Sequence, residues 1–204
     1  MRRDRPVPGA VRSPADLGSS LVGVVLVLVM SVTLASLALP ATSAALDEGK
    51  IRQAATFVAT RLRDAKQQAL GRTASTGLVF DLIGARWTFR VCVDGNGNGI
   101  RRSELKSGKD VCVEGPLDLA VLFPGVTVSI DSTIRGPDDD PPASDPVKFG
   151  SSDIASFSPF GSCTAGSLYL RSARGMQYAV RVAGGTGRTR ILRYDAFSRT
   201  WRTV

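Results

Sequence analysis

Histidine is absent from this chain. Ser-His-Asp and Cys-His catalysis, His-ligated zinc and imidazole general bases are therefore excluded together. Cysteine is scarce: Cys92, Cys112 and Cys163 lack the close paired spacing of a zinc or dithiol site. The chain reads as a non-enzyme, with no catalytic residue and no small-molecule substrate. Its 204 residues, 43% of them apolar, leave room for one globular core plus a tail or anchor. The net charge of +8 comes mostly from arginine and is densest near the C-terminus, a balance that suits nucleic acid, anionic lipid or acidic protein.

Charge is also absent from Leu17 to Leu46. The Leu- and Val-rich run Leu21 to Leu39 within it predicts a helix long enough to cross a bilayer. Arg2, Arg3, Arg5 and Arg12 precede it against Asp4 and Asp16, which places the N-terminus in the cytoplasm and the rest outside. Helical patterning then resumes. Ile51, Ala54, Ala55, Val58, Leu62, Ala65 and Ala69 recur at three- and four-residue steps, and Lys50, Gln53, Arg63, Asp64, Lys66 and Gln67 fill the intervening positions. One helix from about Ser19 to Leu70 is expected, kinked at Pro40 and stopped at Gly71. The implied organisation is a basic leader over 1–18, a transmembrane half over 19–46, an amphipathic half over 47–72 and a β-rich head over 73–204. The small residues Thr42-Ser43-Ala44-Ala45 also resemble the end of a signal peptide, and cleavage after Ala44 or Ala45 would release a soluble binding module.

In the head, Gly77 to Asp81 and Trp87 to Val93 read as a hairpin about Ile83-Gly84-Ala85. Further strands are expected at Val126 to Ile130, Ser167 to Arg171, Gln177 to Val182 and Thr189 to Tyr194, with turns at Ala173-Arg174-Gly175 and Gly184 to Gly187. The stretch Arg135 to Pro146, RGPDDDPPASDP, is too polar and proline-rich for either element and predicts a mobile loop. The expected class is α+β, a long helix packed on a small antiparallel sheet.

Three constellations carry chemistry. Asp94, Asn96 and Asn98 alternate with glycines ahead of Glu104, like the opening of a calcium loop whose acid would stand one residue later, at Leu105; a polar Asn/Gly turn explains the same residues. Cys92 and Cys112 flank that loop. They are either two buried thiols or a disulfide worth about 3 kcal/mol. Arg188, Arg190, Arg193, Arg199 and Arg202, interleaved with Tyr194, Phe197 and Trp201, offer cations for phosphates and rings for bases, or form the charged edge of a sheet. Gly184-Gly185-Thr186-Gly187 lacks the Lys-Ser/Thr of a phosphate loop and reads as a turn.

Taken together, these residues resemble the type IV pilin superfamily and, within it, the GspH/FimT pseudopilins, over nearly everything after Asp16. Gly18-Ser19 resembles the prepilin peptidase site, and Pro40 falls where pilins commonly carry proline. Ala65-Lys66-Gln67-Gln68-Ala69 is similar to the family's ARxEA helix end, Phe157-Ser158-Pro159-Phe160-Gly161 to its FxPxG turn, and Gly187-Arg188-Thr189-Arg190 to its GRxR segment. The resemblance implies cleavage and methylation by prepilin peptidase and assembly with other pilin or pseudopilin subunits. It places the protein in the bacterial inner membrane with a periplasmic head, serving a type II secretion pseudopilus or a type IV pilus. In FimT-type minor pilins GRxR is associated with DNA uptake, which makes DNA a partner. Where the family usually begins with Phe or Met and carries Glu fifth, this chain has Ser19 and Gly23. A buried glutamate in lipid needs a partner amine, and its absence implies a capping or tip position.

Overall fold

The computed structural model describes residues 21–138, 141 and 144–204, with residues 37–41 described by their backbone alone. The leader over 1–18 and the Gly18-Ser19 pair lie outside the described residues, and the kink expected at Pro40 falls on side chains that are not described. The chain divides into two units, Met1–Thr42 and Ser43–Val204. Helix α1 (Leu21–Arg72) contributes its first part to one and its second to the other.

In the first unit, apolar side chains from Leu21 to Leu34 stand exposed around the helix. Among the described residues no helix is long and apolar enough to cross a membrane. The expectation of a single-pass inner-membrane protein, with a transmembrane half over 19–46, a cytoplasmic N-terminus and a periplasmic head, is corrected accordingly.

In the second unit, the predicted apolar face of α1 is the centre of the core. Ile51, Ala54, Ala55, Val58, Leu62, Ala65 and Ala69 are all buried, joined by Ala59. Helical spacing aligns them on one stripe. The helix ends one residue past the expected stop. Gly71 stays helical, Arg72 is last, and Thr73 takes the left-handed turn at φ 53°.

Around the helix follow β1 (Thr76–Ile83), β2 (Arg86–Val93), α2 (Arg102–Ser107), β3 (Val111–Asp118), α3 (Leu119–Leu122), β4 (Val126–Val128), β5 (Val147–Phe149), β6 (Ile154–Phe157), β7 (Gly166–Ser172), β8 (Gln177–Ala183), β9 (Arg188–Asp195) and β10 (Thr200–Thr203). They form two antiparallel sheets where one was expected. The first runs β3-β2-β1-β6; the second runs β10-β9-β8-β7-β4, with β5 also on β7. Strand β5 pairs with Gly166 to Leu168 and β4 with Leu170 to Ser172, so two short strands share one edge of β7. Gly166 is required there, because a Cβ would fall 2.2 Å from the Lys148 carbonyl oxygen. The predicted hairpin is β1–β2, with Thr76 opposite Val93 and Ile83 opposite Arg86.

The inner faces of both sheets meet the helix. Leu78, Phe80, Phe89 and Phe157 come from the first sheet and Phe149, Leu168, Leu170, Tyr178 and Val180 from the second. The outer face of each sheet carries a smaller apolar cluster. Val79, Cys92 and Ile154 gather with Ile100 and Leu105 on the first; Tyr169, Ala179 and Leu192 gather with Ile130 and Trp201 on the second. Both are satellite cores under connecting segments.

Leu62→Ala removes a fully buried side chain and is expected to cost about 2–5 kcal/mol, against less than about 0.5 kcal/mol for Gln67→Ala on the exposed side of the same helix. Urea unfolding measures both. Equal, small losses would contradict the placement of the core.

Candidate functional site

The segment between β2 and β3 is braced from inside by two buried aspartates. Asp94 Oδ1 accepts from the backbone N–H of Asn96 (2.9 Å) and Gly97 (2.8 Å), and its Oδ2 from Gly99 (2.6 Å). Asp110 accepts from Gly95 N–H at 3.2 Å and Arg101 N–H at 2.9 Å. Burial pushes the Asp94 carboxyl up, but the backbone N–H groups of Asn96, Gly99, Gly97 and Asn98 outweigh it and hold its pKa below the ordinary aspartate value. Asn98 Nδ2 donates to Glu104 Oε1 at 2.9 Å. That bond leads the causes that hold the Glu104 pKa low.

Of the predicted calcium ligands, Asp94 is thus committed to backbone donors, while Asn96, Asn98 and Glu104 meet through side chains. Glu104 Oε2 is buried with no hydrogen-bond partner among the described residues. Among the described residues no group of three or more Cys, Asp or Glu side chains stands where it could hold a metal ion. The loop's geometry is that of Asx turns closed on themselves. Cys92 and Cys112 sit opposite each other in the β2–β3 register and form a disulfide. Arg102 ties α2 down, with Nη1 on Asp81 Oδ1 at 2.6 Å and Nε on the Ser152 carbonyl at 2.7 Å.

The five predicted arginines separate, because alternate residues of a strand face opposite sides. Arg188 and Arg190 point to the outer face of the second sheet. Arg193, on the other face, pairs with Glu48 at 2.5 Å, and Arg202, across from it in the register, pairs with Asp195 at 3.0 Å. Arg199 sits in the β9–β10 turn at φ 54°. Arg193 and Arg202 join Arg174, Gln177 and the fully exposed Phe197 around a cleft of about 560 Å³.

On the outer face, register brings Arg190 opposite Arg181, Arg181 opposite Ser167, and Ser167 opposite Lys148. The result is a basic row across four strands, with Arg188 beside it. Among the described residues no carboxylate forms an ion pair with Lys148, Arg188 or Arg190; Arg181 pairs with Asp138. Tyr169, Tyr194 and Trp201 share this face, with Trp201 5.8 Å from Tyr169 and 5.4 Å from Tyr194 between ring centroids. Lys148, Arg181 and Tyr169 were not among the predicted residues. The signal for the last two was present in the alternation of Ser167 to Arg171 and Gln177 to Val182, which sets both on the polar side.

The segments that carried the family resemblance converge near the end of α1. Lys66 Nζ donates to the Thr186 carbonyl at 2.8 Å, and a Cβ on Gly187, at φ 62°, would come within 3.3 Å of the Lys66 side chain. The Phe157 to Gly161 segment turns at Gly161, whose N–H donates to the Ser158 carbonyl at 3.1 Å. Its return bridge at Cys163 puts that thiol on the Ala183 and Gly184 carbonyls, 3.2 Å from each. Burial pushes the Cys163 thiol pKa up.

Because the folded pKa of Asp94 is depressed, its stabilisation is complete above the unfolded value of about 3.9 and is lost as pH falls through the lower folded value. Asp94→Asn is expected to destabilise the protein at pH 7 by about 1–3 kcal/mol and to flatten the fall in stability below about pH 4. Urea midpoints across an acid series test it, and an unchanged acid limb would refute the assignment. Reduction of the Cys92–Cys112 bridge is expected to lower stability by about 3 kcal/mol, measured in the same way with and without reductant; an unmoved midpoint speaks against it.

No family model, no curated protein and no solved structure matches this chain.

Proposed function

We propose that this protein is a structural, pilin-like subunit of a secretion pseudopilus or type IV pilus, released from its leader by prepilin peptidase and assembled with related subunits through the first part of α1. The observation that carries this reading is the exposed apolar run Leu21 to Leu34. An apolar surface of that extent marks an interaction site, and helices bearing such faces associate by packing side chains into one another. Support also comes from the meeting of the Ala65-Lys66 and Thr186-Gly187 segments, two of the stretches on which the resemblance rests.

A photocrosslinking residue at Val25 or Val29, in a native host, is expected to capture pilin-like subunits, and the mature chain is expected to begin at Ser19. Failure to crosslink any such subunit, or a mature chain beginning near Ala45, would sink the assembly reading; the latter favours the secreted module.

A second reading, polyanion binding of the kind used in DNA uptake, is favoured by Arg188 and Arg190, which stand on one face with Lys148 and without counter-ions among the described residues. Replacing both arginines with alanine is expected to weaken binding of a short single-stranded oligonucleotide at least about tenfold and to reduce the slope of log affinity against log salt by about 1.4. Equal affinity and slope in both proteins would remove this reading.

A further inference from the structure

The segment between β4 and β5 crosses the basic, aromatic face of the second sheet through apolar and polar contacts. At its first end it is anchored: Ile130 packs against the cluster of Tyr169, Ala179 and Leu192, Asp131 N–H donates to Gln177 Oε1 at 3.2 Å, and Asp131 pairs with Arg171 at 3.4 Å. Further along, the Arg135 carbonyl accepts from Trp201 Nε1 at 2.8 Å. The Asp138 carboxylate closes on Arg181, the middle cation of the row Lys148, Arg181, Arg190. Asp138 itself is 63% exposed. Among the described residues, the Asp138 side chain is held to the sheet by this screened ion pair.

We propose that Asp138 is an internal competitor, occupying on Arg181 the place taken by a phosphate oxygen of single-stranded nucleic acid bound across the sheet. This rests on the polyanion reading above and adds its regulation. A guanidinium presents the same fork of N–H donors to a carboxylate and to a phosphate, so the two exclude each other on one arginine. Lys148, Arg190 and Arg188 lie ready on the same surface. Tyr194 and Trp201 supply ring faces of the kind on which unpaired bases stack, and the Arg135 carbonyl engages the Trp201 indole from the same segment that carries Asp138. A single strand reaches both the cations and the rings, whereas a duplex keeps its bases stacked inside. Binding then requires the 135–138 end to leave the sheet while the Asp131 end stays fixed.

The test is fluorescence anisotropy of a labelled oligothymidylate with the full chain and four variants. Asp138→Asn is expected to bind about threefold to fivefold more tightly than the native chain, as loss of one exposed ion pair allows, with a steeper salt dependence. Asp64→Asn, the same change in net charge on α1, is expected to leave affinity unchanged. In an Arg181→Ala background the Asp138→Asn gain is expected to vanish, as a direct pair requires. If Asp138→Asn matches the native chain while Arg188→Ala/Arg190→Ala loses affinity, the competitor role is overturned and the polyanion reading stands. A gain that persists without Arg181, or that Asp64→Asn reproduces, overturns the competitor role as well. If neither the native chain nor Asp138→Asn binds, both fall.

Discussion

The second unit depends on how closely a helix can lie against two sheets at once. The buried stripe of α1 is dominated by alanine, at positions 54, 55, 59, 65 and 69, with Ile51, Val58 and Leu62 between. Small side chains let the strands approach the helix axis, and the volume is filled from the sheet side by Phe80, Phe89, Phe149 and Phe157. Phe80 and Phe149 stack with centroids 5.5 Å apart, joining the two sheets along the seam the helix covers. Larger residues along the stripe would force the sheets outward and open that seam, since interiors are packed near crystal density.

One consequence is that the inner faces of both sheets pack on the same helix, while connecting segments cross their outer faces. The two crossings are held by different physics. Over the first sheet the 94–110 segment is locked by buried carboxylates accepting backbone N–H groups and by a disulfide at its base; none of these bonds is readily exchanged with solvent or ligand. Over the second sheet, the contacts of the 135–138 stretch include the Arg135 carbonyl on Trp201 and the exposed Asp138–Arg181 ion pair, and salt weakens that ion pair. The first crossing is thus fixed by buried polar bonds, and the second carries the ion pair on which the proposed competition turns.

Much of this was legible in the sequence, and the misses have physical causes. The 3.6-residue spacing from Ile51 to Ala69 named the buried stripe of α1 because that face packs on its neighbours along its whole length. The β1–β2 hairpin and the cores of β4, β7, β8 and β9 were legible from period-two alternation and turn residues. Strand β3 was missed because Gly115-Pro116 interrupts it; a proline is tolerated there because β3 is an edge. Strands β5, β6 and β10 span three or four residues, too short for alternation to declare itself, and their pairing comes from neighbours distant in sequence. The membrane expectation rested on the missing charge from Leu17 to Leu46 and the Leu- and Val-rich run within it, whereas among the described residues no helix is long and apolar enough to cross a membrane. At the 94–104 loop the sequence left a polar turn and a calcium loop as alternatives, because it does not show that the Asp94 oxygens accept backbone N–H groups.

The arginine cluster illustrates why proximity along a chain is a poor guide to charge density on a sheet. Five arginines between Arg188 and Arg202 suggested one surface, yet alternation sends Arg190 and Arg193 to opposite sides, and Glu48 and Asp195 neutralise the two on the inner side. Residues remote in sequence, Lys148 and Arg181, rebuild the density on the outer side through register alone. With Arg61, Arg86, Arg90, Arg102 and Arg171 each held by a carboxylate elsewhere, much of the chain's positive charge is compensated locally. The excess that remains on one face attracts anions over about 8 Å at physiological salt. On the proposed polyanion reading, such a field steers the ligand to the surface, where the Asp138–Arg181 pair competes with it.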